Sequence, residues 1–171
     1  IVFQEIRESK SLAYSAFASY SNASKKDSPN YVMAYVGTQA NKLEQAVDAM
    51  LELMNNMPEA EKQFNAAKNA TLKKLAAQRI TKSNIFWSYE ALKKRGIDND
   101  NREEMYNTIK NMTIQDLKAF FDKNVKGGSY NVMVIGNKKD LNVKSLQKLG
   151  KIKELDVDYL FNYVDKKKIK S

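Results

Sequence analysis

Residues 12–21 read LAYSAFASYS and residues 31–37 read YVMAYVG, and these two stretches decide the fold. In each of them apolar or aromatic side chains recur with a period of two, which is typical of a β-strand. The segment between them, 22–30, is rich in Asn, Ser, Lys and Asp and contains Pro29, a composition typical of a turn. The sequence therefore predicts a β-hairpin with a long loop.

Helical periodicity follows the hairpin from residue 40 to about residue 125. The clearest predicted helix has six apolar side chains at helical spacing: Leu43, Ala46, Val47, Met50, Leu51 and Met54. A helix is predicted over 58–79, with Pro58 in its first turn, and another from Thr81 to near Gly96. Two capping boxes are predicted at later helix starts, Asp100 with Glu103 and Thr113 with Asp116.

The two ends of the chain complete the predicted fold. Residues 2–9 predict the end of a helix, 130–136 a strand in the same sheet as the hairpin, 139–149 a short helix and 152–157 a weak strand. Strands and helices are partly segregated, which favours an α+β fold in which several helices cover an antiparallel-rich sheet. We expect one domain over 1–171 that lacks its opening strands, with a flexible basic tail at 164–171.

The residue types that are missing limit the chemistry of the chain. It contains no histidine and no cysteine, so it lacks the best zinc ligands, the usual general base, a thiol nucleophile and every disulfide. Its acidic residues show no spacing typical of a metal site. We therefore expect no metal or cofactor in this chain and no catalysis by the chain alone.

The charge and hydropathy patterns bear on partners. The net charge is +9, from 29 Lys and Arg against 20 Asp and Glu, which fits either an anionic partner such as nucleic acid or a lysine-rich solvated surface. The lysines are scattered over helical patterns, which favours the solvated surface, so we do not expect nucleic acid as a partner. No apolar stretch of about 18 residues occurs, so we expect no membrane span and no membrane partner.

One segment resembles a known family. Residues 5–15, EIRESKSLAYS, combine a helix end, an Arg and a strand that opens with Leu-Ala-Tyr. This combination resembles the signature of the M16 (pitrilysin-like, insulinase-like) zinc metallopeptidases. Other segments resemble the family in the same order over residues 1–160: 31–38, 43–54, 61–75, the Thr113-Ile-Gln-Asp-Leu117 run, and 130–141.

The resemblance implies a fold, a function and two site residues. These enzymes have two halves that enclose a chamber, and one half binds zinc through a His-x-x-Glu-His motif. Since this chain has no His, it resembles the C-terminal, non-metal domain of the LuxS/M16 metallopeptidase-like fold. The family's non-metal half supplies an Arg and a Tyr seven residues apart, and Arg7 and Tyr14 match that spacing.

The same resemblance implies roles and partners. Arg7 and Tyr14 would bind a peptide or unfolded protein substrate, and Tyr14 would act in catalysis as a donor to the oxyanion or substrate carbonyl. Zinc would lie in a zinc-bearing M16 domain of the same chain or of a partner subunit. The parent protein would then be a zinc-dependent metalloendopeptidase.

Other interpretations stay open on the sequence alone. Taken alone, an Arg near a helix end is usually solvated or salt-bridged, and a Tyr in an alternating strand is usually half-buried packing. Only the joint spacing of Arg7 and Tyr14 within the motif favours a functional role. The domain also fits a non-catalytic structural or binding subunit descended from an M16 peptidase, like the core proteins of respiratory complexes. Trp87 and Tyr89, with Lys82, Lys93 and Arg95 nearby, resemble a stacking platform for single-stranded nucleic acid, but helical amphipathicity is the simpler explanation.

Overall fold

The computed structural model describes residue 2 and residues 4–161. The chain divides into two compact units, residues 1–131 and residues 132–171. The predicted basic tail at 164–171 lies outside the described residues.

The first unit begins with a π-helix and a β-hairpin and continues with helices. The π-helix is Gln4–Ser9, and the strands are β1, Ser15–Ser21, and β2, Tyr31–Gly37. The α-helices are α1 Leu43–Asn55, α2 Glu61–Ala77, α3 Ile85–Lys94, α4 Arg102–Asn111 and α5 Ile114–Asn124. Short 3₁₀ turns, Ala40–Lys42 and Lys82–Asn84, precede α1 and α3. The second unit contains α6, Val143–Leu146, and α7, Val157–Phe161, with 3₁₀ turns at Lys138–Asp140 and Gln147–Leu149.

The predicted hairpin is confirmed. β1 and β2 pair antiparallel, from Ser15 opposite Gly37 to Ser21 opposite Tyr31. Because side chains alternate across a sheet, one face of the hairpin carries Ala16, Val32, Ala34 and Val36, which contribute to the core. The other face carries Phe17, Tyr31, Met33 and Tyr35, all of which are exposed. Helices and an antiparallel sheet together confirm the α+β fold.

The core of the first unit lies where the π-helix, the hairpin and α1 meet. Its buried cluster consists of Ile6, Ala16, Ala49, Met50, Met54 and Val125. Of the six predicted apolar positions of α1, Ala46, Met50 and Met54 are buried, so the helical spacing identified the inward side, while the buried Ala49 was not among them.

Two predicted strands are wrong. Residues 130–136 have no strand structure, and Met133 and Ile135 are 79% and 92% exposed. An alternating sequence favours an extended chain but supplies no partner for its backbone hydrogen bonds, and the sheet of the described residues has only two strands. Residues 152–157 contain no strand either, because the Asp156 carboxylate accepts from Tyr159 N at 2.7 Å and starts α7 at Val157.

The helix predictions are confirmed in outline and corrected at several ends. α2 starts at Glu61 instead of at Pro58, and 139–149 forms separate short turns instead of one helix. The capping box of Asp100 with Glu103 is absent. Instead the Asp100 carboxylate accepts from both the backbone and the side chain of Arg102, and these hydrogen bonds lower the pKa of Asp100 to about 2.

The other capping box is confirmed at the start of α5. Thr113 Oγ1 accepts from Asp116 N at 3.3 Å, and the Asp116 carboxylate accepts from Thr113 N at 2.8 Å. The side-chain and backbone hydrogen bonds from Thr113 lower the pKa of Asp116 below its usual 3.8. This box satisfies two backbone N–H groups that the helix itself cannot pair.

Thr113→Ala should lower the melting temperature by about 2–4 °C, because a lost N-cap is a moderate cost in a domain of this size. Since the folded-state pKa of Asp116 is lowered, its contribution is present above the unfolded pKa and is lost as the pH falls through the folded pKa. The difference between wild type and variant should therefore shrink in acid. Thr71→Ala is the control, since Thr71 lies inside α2, where Ala has a helix propensity at least as high as that of Thr. Equal melting temperatures for Thr113→Ala and Thr71→Ala would contradict this role.

Candidate functional site

The π-helix Gln4–Ser9 positions Arg7. Its neighbour Ile6 is fully buried in the core cluster, at 0% exposure, whereas Arg7 is exposed. Successive residues of a helix point in different directions, so anchoring Ile6 in the core directs Arg7 away from it. The guanidinium is therefore carried by a helix that the core holds in place.

Hydrogen bonds join the segment between Arg7 and Tyr14, residues 8–13, to the rest of the first unit. Leu12 N donates to Ile6 O at 3.0 Å, and Thr38 Oγ1 donates to Leu12 O at 2.5 Å. Ser11 has a positive φ of 49°, and its carbonyl accepts from Lys42 Nζ at 3.0 Å. These contacts fix the link to the end of β2 and to the turn before α1.

Tyr14 lies directly before β1 and extends the hairpin by one hydrogen bond. Its backbone N–H donates to Gly37 O at 2.8 Å, while its side chain is 66% exposed. The Tyr14 hydroxyl oxygen accepts from Gln39 Nε2 at 2.7 Å. A phenol that accepts from an amide keeps its own proton for another acceptor, so this contact orients Tyr14 as a donor.

The structure thus places both predicted site residues on the surface of adjoining elements. The π-helix lies against β1 and α1, and both Arg7 and Tyr14 are exposed. Gln39, the hydrogen-bond partner of the Tyr14 hydroxyl, was missed by sequence reasoning. Continuing the register from Ser15 opposite Gly37 places Thr38, and not Gln39, opposite Tyr14, so no sequence signal pointed to Gln39.

An exposed aromatic surface lies on the outer face of the hairpin. Phe17 and Tyr35 stack with ring centroids 5.3 Å apart and planes 23° from parallel. Tyr20, on the opposite face, instead meets Phe120 edge to face at 5.1 Å. The hairpin therefore uses Tyr20 for packing and leaves Tyr35 and Phe17 on the surface.

The metal-binding potential of the chain follows from its donor atoms. The sequence has no His and no Cys, and among residue 2 and residues 4–161 no three acidic side chains are grouped to hold a metal ion. Within residue 2 and residues 4–161, the side chains therefore offer no group of ligands for zinc. Among the same described residues, no helix is long and apolar enough to cross a membrane.

Comparison with known families decides what the N-terminal part of the chain is. Residues 1–71 match the family described as the Peptidase M16 inactive domain. This segment is similar to that domain and covers 71 of the 171 residues of the chain. The resemblance read from residues 5–15 is thereby confirmed, and Arg7, Tyr14 and Gln39 all lie inside the matched segment.

The M16-type segment contains the elements that build the site. It includes the π-helix, the hairpin, α1 and the first part of α2. No curated protein and no solved structure matches the chain. Residues 1–71 are therefore similar to the M16 inactive domain, and the family resemblance of the residues after 71 stays a prediction.

Proposed function

We propose that this chain is the substrate-binding, non-zinc domain of an M16-type zinc metalloendopeptidase, and that Arg7 and Tyr14 form its site. One observation carries the proposal: inside the family-matched segment, an exposed Arg and an exposed Tyr sit seven residues apart on backbone tied to the core. A rigid support of this kind is what a site needs to hold its groups within about half an ångström of a productive geometry.

Tyr14 is the proposed oxyanion donor. Attack on a peptide carbonyl places negative charge on its oxygen, and a hydrogen-bond donor aimed at that oxygen stabilises the transition state. Gln39 donates to the Tyr14 hydroxyl at 2.7 Å, which leaves the phenol proton to point elsewhere. Gln39 is therefore the proposed positioning residue for Tyr14.

Arg7 is the proposed substrate clamp. Its guanidinium presents five donors in a planar fork, which suits a peptide carbonyl or carboxylate better than a lysine ammonium does. Because the neighbouring Ile6 is buried, the core holds the backbone that carries Arg7. Such a group binds ground state and transition state alike, so its contribution appears mainly in KM.

The zinc that the proposed activity requires would belong to the partner half, since the donor set of this chain does not fit it. Domains of the inactive M16 type pair with an N-terminal M16 domain, and in this proposal that domain carries the metal. Bound there, zinc supplies a water activated for attack on the peptide bond. The roles of Arg7 and Tyr14 are to bind the peptide and to stabilise charge.

Arg7→Ala should raise KM for an unstructured peptide about tenfold, with little change in kcat, when the chain is assayed with its zinc-bearing half. Arg7→Lys should restore only part of the loss, because the fork geometry is missing. The control is Arg79→Ala, since Arg79 donates to the backbone carbonyls at the end of α2. An unchanged KM in Arg7→Ala would remove Arg7 from the site. A partner domain that lacks His-x-x-Glu-His would favour the non-catalytic subunit instead.

A further inference from the structure

The helix α3 exposes an unusual amount of apolar surface at its first turn. Ile85, Phe86 and Trp87 are 57%, 59% and 67% exposed. One turn on, Tyr89 is exposed as well, while Ser88 and Leu92 form the half-buried side of the helix. Single apolar side chains scattered over a surface are normal, whereas three consecutive large ones at one exposed helix end form a patch of the kind that marks a contact surface.

Basic residues gather at the other end of the same helix. Lys26 N donates to Lys94 O at 2.7 Å, so the hairpin loop lies against the end of α3. The Lys26 side chain runs along Gly96, where a Cβ would come within 2.9 Å of it. The result is a cluster of exposed cations from two segments: Lys25, Lys26, Lys93, Lys94 and Arg95. The acidic residues nearest in sequence are fewer than these five cations: Asp27, Asp98 and the half-buried Glu90.

We propose that this α3 surface, made of Ile85–Trp87, Tyr89 and the five cations, binds the surface of an anionic lipid bilayer. The apolar turn and the basic end are about 10 Å apart along the helix, from a rise of about 1.5 Å per residue. An exposed apolar turn with cations nearby combines the two attractions that hold a protein segment at an anionic bilayer surface, apolar burial and charge. The apolar turn reaches the acyl boundary while the cations stay among anionic headgroups.

The details of the surface favour a bilayer over a nucleic acid. Base stacking needs open ring faces. Phe86 and Trp87 meet edge to face, with centroids 5.1 Å apart and planes at 76°, and the Lys93 ammonium lies over the Tyr89 ring at 5.6 Å. Ile85 adds exposed aliphatic surface, which bases do not use. Trp and Tyr are the side chains that suit a bilayer interface, because each has an apolar body and a polar tip.

This inference differs from the sequence prediction of no membrane partner. That prediction rested on the missing membrane span, and an interfacial contact needs only one exposed apolar turn and nearby cations. It does not rest on the proposed peptidase role, since α3 lies outside the family-matched segment that contains Arg7 and Tyr14. The cluster forms only in the folded chain, because Lys26 and Lys94 are far apart in sequence.

Trp87 makes the test direct, because it is the only tryptophan in the chain. The chain is mixed with vesicles of phosphatidylcholine containing about one-third phosphatidylserine, or of phosphatidylcholine alone, and binding is followed by sedimentation and Trp emission. We expect binding and a blue shift with anionic vesicles only, both reduced by salt. Lys93→Glu with Lys94→Glu should weaken binding by more than about 30-fold, the effect of losing two lysines, because each change also adds a negative charge. Phe86→Ser should remove most of the shift.

The controls match these changes elsewhere on the chain. Lys73→Glu with Lys74→Glu makes the same charge change on two exposed positions of α2, and Ile135→Ser removes an apolar side chain that is 92% exposed. Both should bind like wild type, with circular dichroism confirming that every variant is folded. The proposal fails if no vesicle binds, or if the control variants lose binding as the α3 variants do. It also fails if the blue shift appears only with a single-stranded oligonucleotide, or at high protein concentration without lipid, which would indicate nucleic acid or a second copy.

Discussion

Tyr14→Phe should lower kcat/KM of the zinc-bearing assembly by about 10²–10³, the usual effect of removing one oxyanion donor. The change deletes a hydroxyl from a side chain that is 66% exposed, so the domain should stay folded. Since the donor acts on charge that develops in the transition state, kcat should fall with kcat/KM. The measurement is peptide hydrolysis together with thermal unfolding on the same preparations.

Tyr31→Phe is the matched control, because Tyr31 is a similarly exposed tyrosine on the outer face of the hairpin. It should keep full activity. Gln39→Ala should give a smaller loss than Tyr14→Phe, since Tyr14 keeps its proton and loses only its orientation. If Arg7 and Tyr14 serve one transition state, the double variant should cost less than the sum of the two single variants. Full activity in Tyr14→Phe would mean that Tyr14 has no role in catalysis.

Ile6→Ala should lower the free energy of unfolding by about 2–5 kcal/mol, because it deletes a buried side chain and leaves a cavity. Ile6 is 0% exposed and is the largest fully buried side chain among the described residues. It also joins the π-helix that carries Arg7 to the hairpin and α1. The measurement is denaturant unfolding at equilibrium.

Two further substitutions serve as controls for Ile6→Ala. Ile6→Val removes one methylene and should cost about 0.5–1.5 kcal/mol. Ile85→Ala removes the same atoms as Ile6→Ala from a side chain that is 57% exposed, and it should change stability by less than about 0.5 kcal/mol. If Ile6→Ala and Ile85→Ala lower the free energy of unfolding equally, the core does not hold the π-helix, and Arg7 has no rigid support.

Much of the site was readable from the sequence because its determinants are local. The period of two in residues 31–37 marked β2 at the bounds that the structure shows, and helical spacing marked the buried side of α1. The Thr113 and Asp116 pair formed the box that its spacing predicted. Each of these patterns depends on residues within one turn or one strand, where neighbours along the chain are neighbours in space.

The sequence by itself determined the hairpin, the main helices, the M16 resemblance of residues 1–71 and the absence of His and Cys. Tertiary structure decided the rest. It left 130–136 without a strand partner, set Gln39 beside the Tyr14 hydroxyl and brought Lys26 against the end of α3. The physical reason is that a local pattern states which side of a segment prefers burial, whereas a hydrogen-bond partner distant in sequence is chosen only when the whole chain packs.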